Sequence, residues 1–190
     1  GRPARHLNCS ESEQKIIADL FLLTMKPVLY ICNVSESDAV KENDYVKKVR
    51  AIAAKENSRV VVISGQIESE ISELPEAERK AFLESLGLKE PGLHTLIKET
   101  YELLGLNTFL TAGPDEVRAW TIHRGTKCPQ AAGVIHSDFE RGFICADVIW
   151  WEDYVKYKTE QACKDHGLLR TEGREYVVRD GDVMHFKFNV

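Results

Sequence analysis

Apolar and polar positions alternate along this chain with two distinct periods. Ser10-Glu11-Ser12-Glu13 places a glutamate three residues after a serine, ahead of Ile16, Ile17, Leu20 and Leu23. That spacing predicts a helix capped at Ser10, running to about Leu23 with those four residues on one face. Pro27 forbids its continuation. Val28 to Cys32 is an unbroken apolar run, the pattern of a strand covered on both faces of a parallel sheet. Asp44 to Glu56 has the helical period, with Tyr45, Val49, Ile52 and Ala53 turned inward. Arg59 to Ser64, RVVVIS, repeats the buried-strand pattern, so the three elements make a βαβ unit with a right-handed crossover. Pro75 opens a further helix, EAERKAFLESLG, ended by Gly87; Gly92 to Leu104 forms the next, ended by Gly105. The apolar positions of both helices read as core.

After Gly105 the period shortens. Asn107 to Thr111, the turn GPDE with Asp115 in it, and Val117 to Ile122 read as strand, turn, strand. RGTKCPQAAG reads as a loop, Val134 to Arg141 as a short helix, Phe143 to Trp151 as β-rich, and Glu152 to Gly167 as helical or irregular. Glu175 to Val178, the turn Asp180-Gly181-Asp182, and Val183 to Asn189 predict a terminal hairpin. The pattern therefore predicts an α/β segment over residues 1–104 and a small mixed-β domain over 105–190, with the boundary at Leu104 to Leu106.

Composition narrows the classes. Apolar residues make up 43% and charged residues 29%, ordinary globular values. A net charge of −5 argues against a large, purely electrostatic nucleic-acid binder and gives no sign of DNA specificity. No apolar stretch reaches the roughly 20 residues that span a bilayer. The start, GRPARHLNCS, lacks both Met and a signal-peptide core, so it reads as a fragment or processed product. Five widely spaced cysteines with no C-x-x-C speak against a disulfide scaffold or zinc site and fit a reducing cytoplasm. Cys32 and Cys145 sit inside apolar runs and read as small core residues.

The candidate chemistry lies at two strand ends. Asn33-Val34-Ser35-Glu36 follows the first buried strand, and Ser64-Gly65-Gln66 follows the second. Ligands of open α/β sheets bind beyond the carboxyl ends of the strands. A side-chain amide offers donor and acceptor together, which suits the mixed edge of a purine. The plainer alternative is that Asn33 and Ser35 only end a strand and open a turn. P-loop GTPases carry Asn-Lys-x-Asp and Ser-Ala-x at these two places. Here the Lys is replaced by Val34, and the Asp by Glu36, one methylene longer. Relaxed guanine selectivity follows from these departures, whereas a positive choice of ATP does not, because a carboxylate would be repelled by the lone pair at adenine N1.

The longer segments FLLTMKPVLYICNVSE, AGPDEVRAWTI, RGTKCPQAAGVIHSDFERGFICADV and YVVRDGDVMHFKFNV resemble the Obg-like ATPase family, often called YchF, over nearly the whole chain. The resemblance implies a carboxyl-terminal segment of a P-loop nucleotide-binding domain over residues 1–104. It implies a TGS domain of ubiquitin-like β-grasp (α+β) type over 105–190. Asn33, Val34, Glu36, Ser64, Gly65 and Gln66 would contact the base of ATP or GTP, held with Mg²⁺ by the full-length protein. No G-x-x-x-x-G-K-[ST] occurs in the chain. Its loop would hold the phosphates and its Ser/Thr the Mg²⁺. No catalytic residue is therefore expected here, nor a tightly bound nucleotide or hydrolysis by this chain alone.

The resemblance also implies a ribosome- or RNA-facing second half. Arg118, Trp120, His123, Arg124 and Lys127 mix cations with an aromatic ring around one hairpin and loop. The alternative is that Trp120 is core and the cations are solvated. Residues 105–190 hold 11 Lys and Arg against 13 Asp and Glu, so any basic face is local. A reading from another class is a free-standing β-grasp interaction module that binds no nucleotide. His136, Asp138 and Glu140 have a metal-like spacing but lack a fourth ligand, which favours a helix cap. Trp150 and Trp151 alternate, predicting one inward and one outward, and Cys128 reads as a loop thiol with nothing to activate it.

Overall fold

The computed structural model describes residues 3–113 and 116–189; Asp115, expected in a turn, lies outside them. The chain divides into two compact units between Leu104 and Gly105.

The first unit begins with α1 (Glu11–Ala18). Both halves of the capping box are present: Ser10 N donates to Glu13 Oε2 at 2.8 Å, and Glu13 N to Ser10 Oγ at 3.4 Å. Ser10 Oγ also donates to Glu13 Oε2 at 2.7 Å, and this bond, with that from Ser10 N, holds the Glu13 carboxyl below its usual range. The helix stops at Ala18 rather than near Leu23, and Phe21 takes a left-handed φ of +47°. Ile16, Leu20 and Leu23 are all exposed, so no packing within the unit rewards a longer helix against that turn.

The strands β1 (Leu29–Asn33) and β2 (Arg59–Ile63) pair in parallel, with Leu29 opposite Arg59 and Asn33 opposite Ile63. Between them run α2 (Glu36–Val40) and α3 (Asp44–Glu56). Asn43 caps α3 by accepting from Val46 N at 3.0 Å, and Asn57 closes it in the left-handed region. The buried residues of α3 are Val46 and Ala53, whereas Tyr45 and Ile52 are exposed. Ala53 is thus inward as expected and Val49 half-buried, whereas Val46 takes the place expected of Tyr45, and Ile52 faces out. Only Val61 of the two strands is fully buried; Ile31 is 53% exposed and Cys32 half-buried, so β1 is not covered on both faces.

Three helices follow: α4 (Gly65–Glu73), α5 (Glu76–Ser85) and α6 (Gly92–Leu104). Ile67, Ile71 and Leu83 form a small core with Ala39, Phe82, Leu86 and Leu88. Gly87, at φ +74°, ends α5 and lets Leu88 N reach back to Leu83 O at 2.9 Å. Leu93 and Ile97 of α6 are half exposed, contrary to the expectation that they are core. Arg59 bonds Glu99 at 2.5 Å and ties α6 to β2.

The second unit is a mixed five-stranded sheet of β3 (Leu106–Ala112), β4 (Val117–His123), β5 (Phe143–Trp150), β6 (Arg170–Glu172) and β7 (Asp182–Phe188) in the order β4-β3-β7-β5-β6. The central β7 is parallel to β3 and antiparallel to β5. Helices α7 (Cys128–Ile135), α8 (Ser137–Arg141), α9 (Trp151–Tyr157) and α10 (Glu160–Asp165) fill the connections. Cys128 onward is therefore helix and not loop, with Pro129 in the first turn, where its missing N–H costs nothing.

The terminal hairpin does not form. Glu175 to Val178 is not a strand; it touches Lys127 through one isolated bridge at Val177. The turn that follows is bonded elsewhere. Asp180 Oδ1 accepts from Thr108 N at 2.7 Å, and Gly181 N donates to Thr108 O at 2.8 Å. These bonds deliver the last strand between β3 and β5.

The core of this unit joins Phe109, Ile122, Ala131, Ala132, Phe143, Val148, Met184 and Phe186 between the sheet and α7. Cys128 and Cys163 are the buried thiols, whereas Cys145 is half-buried. Among the described residues no helix is long and apolar enough to cross a membrane. Phe109 is fully buried, with its ring edge-on to Phe186 at 5.7 Å. Phe109→Ala is expected to destabilise this unit by about 3–5 kcal/mol, read as a lowered denaturant midpoint by circular dichroism.

Candidate functional site

Parallel pairing sets the ends of β1 and β2 side by side. Val34 N donates to Ile63 O at 2.9 Å, one rung beyond the strands. The Asn33 side chain then reaches across, and its Oδ1 accepts from Gly65 N at 3.0 Å. A backbone N–H can only donate, so it fixes which way the amide points. The oxygen faces Gly65 and Nδ2 presents its two donors away from it. A Cβ on Gly65 would lie 3.6 Å from Asn33 Oδ1, ordinary contact distance, so the glycine is not a steric requirement.

Ser64-Gly65-Gln66 is not a loop. Ser64, 3% exposed, caps α4 by accepting from Ile67 N at 3.5 Å, and Gly65 and Gln66 form the first turn. Gln66 lies along its own helix, donating to Glu70 at 3.2 Å. Glu36 is the exposed first residue of α2. Two residues that sequence reading missed brace that helix. Asp38 Oδ2 accepts from Ser35 Oγ at 3.0 Å and from Asn43 Nδ2 at 3.0 Å, while Asn43 Oδ1 caps α3. The signal was present in Asn43 standing before Asp44 at a helix start. The strand ends thus bring an oriented amide donor at Asn33 to the exposed first turn of α4, with Glu36 opening α2 three residues beyond Asn33.

Residues 106–189 match the family profile YchF-GTPase_C, described as "Protein of unknown function (DUF933)". The "Ribosome-binding ATPase YchF" of Bacillus subtilis (strain 168) is 51% identical over 191 aligned positions, covering 100% of this chain and 52% of its own. That of Escherichia coli O157:H7 is 52% identical, covering 98% of this chain and 51% of its own. The chain belongs to the YchF family. The solved Schizosaccharomyces pombe YchF GTPase superposes with a TM-score of 0.84 at 39% identity, over 98% of this chain and 50% of that one. A GTP binding protein from Pyrococcus horikoshii OT3 shares the fold, with a TM-score of 0.62 at 16% identity. The chain spans about half the length of the curated relatives it matches.

Within this YchF-family chain the expected RNA-facing residues are spread along one strand. Arg118 lies near one end of β4 and Trp120 at its middle; Arg124 and Lys127 lie beyond the other end, Arg124 roughly 20 Å from Arg118 for six residues of extended chain. Trp120 is half-buried against the core, its Nε1 donating to Thr111 Oγ1 at 2.9 Å. Phe109 stacks on it, and the Arg118 guanidinium sits 4.1 Å from the ring centroid. The indole is therefore largely engaged within the unit. Lys127 pairs with Glu175 at 2.5 Å, and Arg124 Nε donates to Asn107 Oδ1 at 3.4 Å.

His136 is a helix cap: its Nδ1 accepts from Asp138 N at 3.1 Å, opening α8. Among the described residues no group of three His, Cys, Asp or Glu could hold a metal ion. Trp150 and Trp151 are exposed to similar extents, 37% and 41%, because both pack around Gly181 rather than alternating.

Two measurements follow from this geometry. In Asn33→Ala the Gly65 amide loses its acceptor and exchanges faster with solvent by NMR, whereas Asn33→Asp keeps an oxygen there and most of the protection. Burial pushes the Cys128 thiol up to about 12, with Glu172 and Asp182 adding to the effect. At pH 8 the folded chain should leave Cys128 unmodified by iodoacetamide, and unfolding should expose it, as peptide mass mapping would read.

Proposed function

We propose that this chain supplies the base-recognition corner of a purine-nucleotide-binding, ribosome-associated ATPase or GTPase of the cytoplasm. In this reading its first unit completes a P-loop nucleotide-binding domain, and its second is a TGS-like β-grasp domain that meets the ribosome or its RNA. The single observation that carries the nucleotide reading is the Asn33 amide, held by Gly65 N–H at the carboxyl ends of two parallel strands. That is where open α/β sheets bind ligands. The printed names of the relatives, a ribosome-binding ATPase and a YchF GTPase, support the same reading.

Asn33 Nδ2 would donate to a ring acceptor of the base, and Glu36 would accept from a base N–H. Ser64 and Gly65 would shape the wall, Gln66 would line its exposed side, and Val34 would lie where the GTPase motif has a lysine stem. The residues present fit the base and not the rest of the nucleotide. In this reading the phosphates and the hydrolytic step fall to a G-x-x-x-x-G-K-[ST] loop, which does not occur in the sequence of this chain. The half-exposed Ile31, Leu93 and Ile97 are consistent with a first unit that packs against further chain. On the second unit, Arg118, Arg124 and Lys127 would contact phosphates singly, with Trp120 serving the core.

Nucleotide titration and turnover of this chain, alone and joined to the P-loop-bearing half of a relative, test the reading. The chain alone should hydrolyse no Mg-ATP above the no-enzyme control. The joined protein should bind ATP or GTP, and Asn33→Ala should weaken binding about tenfold, the worth of one or two hydrogen bonds. Hydrolysis by the chain alone that ignores Asn33→Ala, or undiminished binding by the joined variant, would overturn it.

A further inference from the structure

The second unit carries a cleft of about 290 Å³ that shares no lining residue with the surface from Arg118 to Lys127. It opens between the end of β5, the start of α9, the start of β6 and the turn before β7. Trp150, Asp153, Leu168, Arg170, Arg179 and Asp182 line it.

Asp182 is its most unusual member. The residue is fully buried. Its Oδ2 is occupied twice, accepting from Tyr176 OH at 2.8 Å and from Arg179 N at 2.9 Å. Its Oδ1 has no hydrogen-bond partner among the described residues. The Arg170 guanidinium stops 3.6 Å short of it, the same nitrogen donating to Tyr176 OH at 3.3 Å. A buried carboxylate oxygen without a donor is unfavourable; Oδ1 is closed off from solvent in the free chain, and the partly exposed Arg170 side chain must swing aside for the cleft to bring a donor to it.

Trp150 stands directly opposite Asp182 in the β5–β7 register and is 37% exposed. Gly181 makes this possible: at φ +87°, a Cβ there would press within 3.2 Å of the Trp150 ring and closer still to Trp151. Arg179 is exposed beside the carboxylate it caps.

We propose that this cleft binds a guanine base, laid on Trp150, with its N1–H and amino N–H donating to Asp182 Oδ1 and Arg179 meeting the adjoining phosphate. The donor must be neutral. An ammonium or guanidinium reaching Oδ1 would sit against Arg170 and Arg179, and like charges at that distance repel. The volume, near the low end for small-ligand sites, takes one ring system and excludes a helix or strand. Uracil is disfavoured, because its single ring N–H is flanked by carbonyls that face the carboxylate. The base could arrive as a free nucleotide or within single-stranded RNA, where stacking on an aromatic side chain is a standard mode of capture.

The test uses the 190-residue chain, following the tryptophan indole and Gly181 amide signals by NMR. GMP, UMP, the RNA hexamers UUUGUU and UUUUUU, and the DNA analogue of the first are titrated in turn. Trp150 and Gly181 should shift saturably with GMP and UUUGUU, and at least about tenfold more weakly with UMP and UUUUUU. Tighter binding of UUUGUU than of GMP assigns the base to a strand, and equal binding assigns it to free nucleotide. Trp150→Ala and Asp182→Asn should each weaken binding about tenfold or more. Arg179→Ala, at an exposed position, should weaken it with the amide spectrum unchanged, which covers the case in which Asp182→Asn perturbs folding. Asn33→Ala should leave the Trp150 shift as it is, which separates this cleft from the corner at β1 and β2. No saturable shift with any probe, equal response to GMP and UMP, or an oligoarginine peptide moving the same signals at lower concentration would overturn the proposal.

Discussion

The parallel pairing of β1 with β2 is the constraint on which the candidate site depends. Asn33 stands opposite Ile63 in this register, so its side chain emerges beside the first turn of α4. A slip of one residue would send it to the other face of the sheet. The rung from Val34 N to Ile63 O extends the pairing beyond the strands and leaves little freedom for such a slip. The hydrogen bond from Gly65 N to Asn33 is solvent-facing and worth about 0.5–1.5 kcal/mol net, too little to hold a fold together. Its consequence is directional: it selects one orientation of an amide that has two.

The two units spend their apolar residues differently. In the second, β7 runs between β3 and β5, and Phe109, Phe143, Met184 and Phe186 close around it. In the first, the buried cluster is three residues, and Ile16, Leu20, Ile31 and Ile97 stay about half or more exposed. A two-stranded sheet is marginal by itself. The first unit's apolar run at Val28 to Cys32 is therefore a strand pattern that the described residues do not cover on both faces. This is also why the run was legible as a strand while its burial was not.

Legibility followed the range of the forces involved. The Ser10–Glu13 cap, the turn glycines Gly87 and Gly105, and strands β1 to β5 are set by local pattern and could be read from it. The phase of α3 was legible only in part: Ala53 is inward as read, but Tyr45 and Val46 are apolar neighbours, and only the packing of neighbouring elements chooses between them. The terminal hairpin failed for a related reason. Asp180-Gly181-Asp182 is good turn chemistry, but its side chains and amides are engaged by Thr108 and Tyr176, far away in sequence or off the strand. At the candidate site the paired strand ends were legible in Asn33 and Ser64-Gly65. The bracing of α2 by Asp38 and Asn43 was not, since it joins two short side chains across a helix boundary.

Asn33 and Asp182 use the same device in opposite surroundings. Each side chain has one oxygen held by a backbone N–H, Gly65 in one case and Arg179 in the other, which leaves its remaining polar atom directed. At Asn33 water competes for that atom, so the orientation costs little to keep and contributes little until a ligand excludes solvent. At Asp182 the oxygen is buried, water has limited access, and the missing donor is felt in the free protein. A ligand donor reaching Asp182 therefore gains more than one reaching Asn33. The turn that carries it, pinned to Thr108 through Asp180 and Gly181, has already met the ordering cost that binding would otherwise impose.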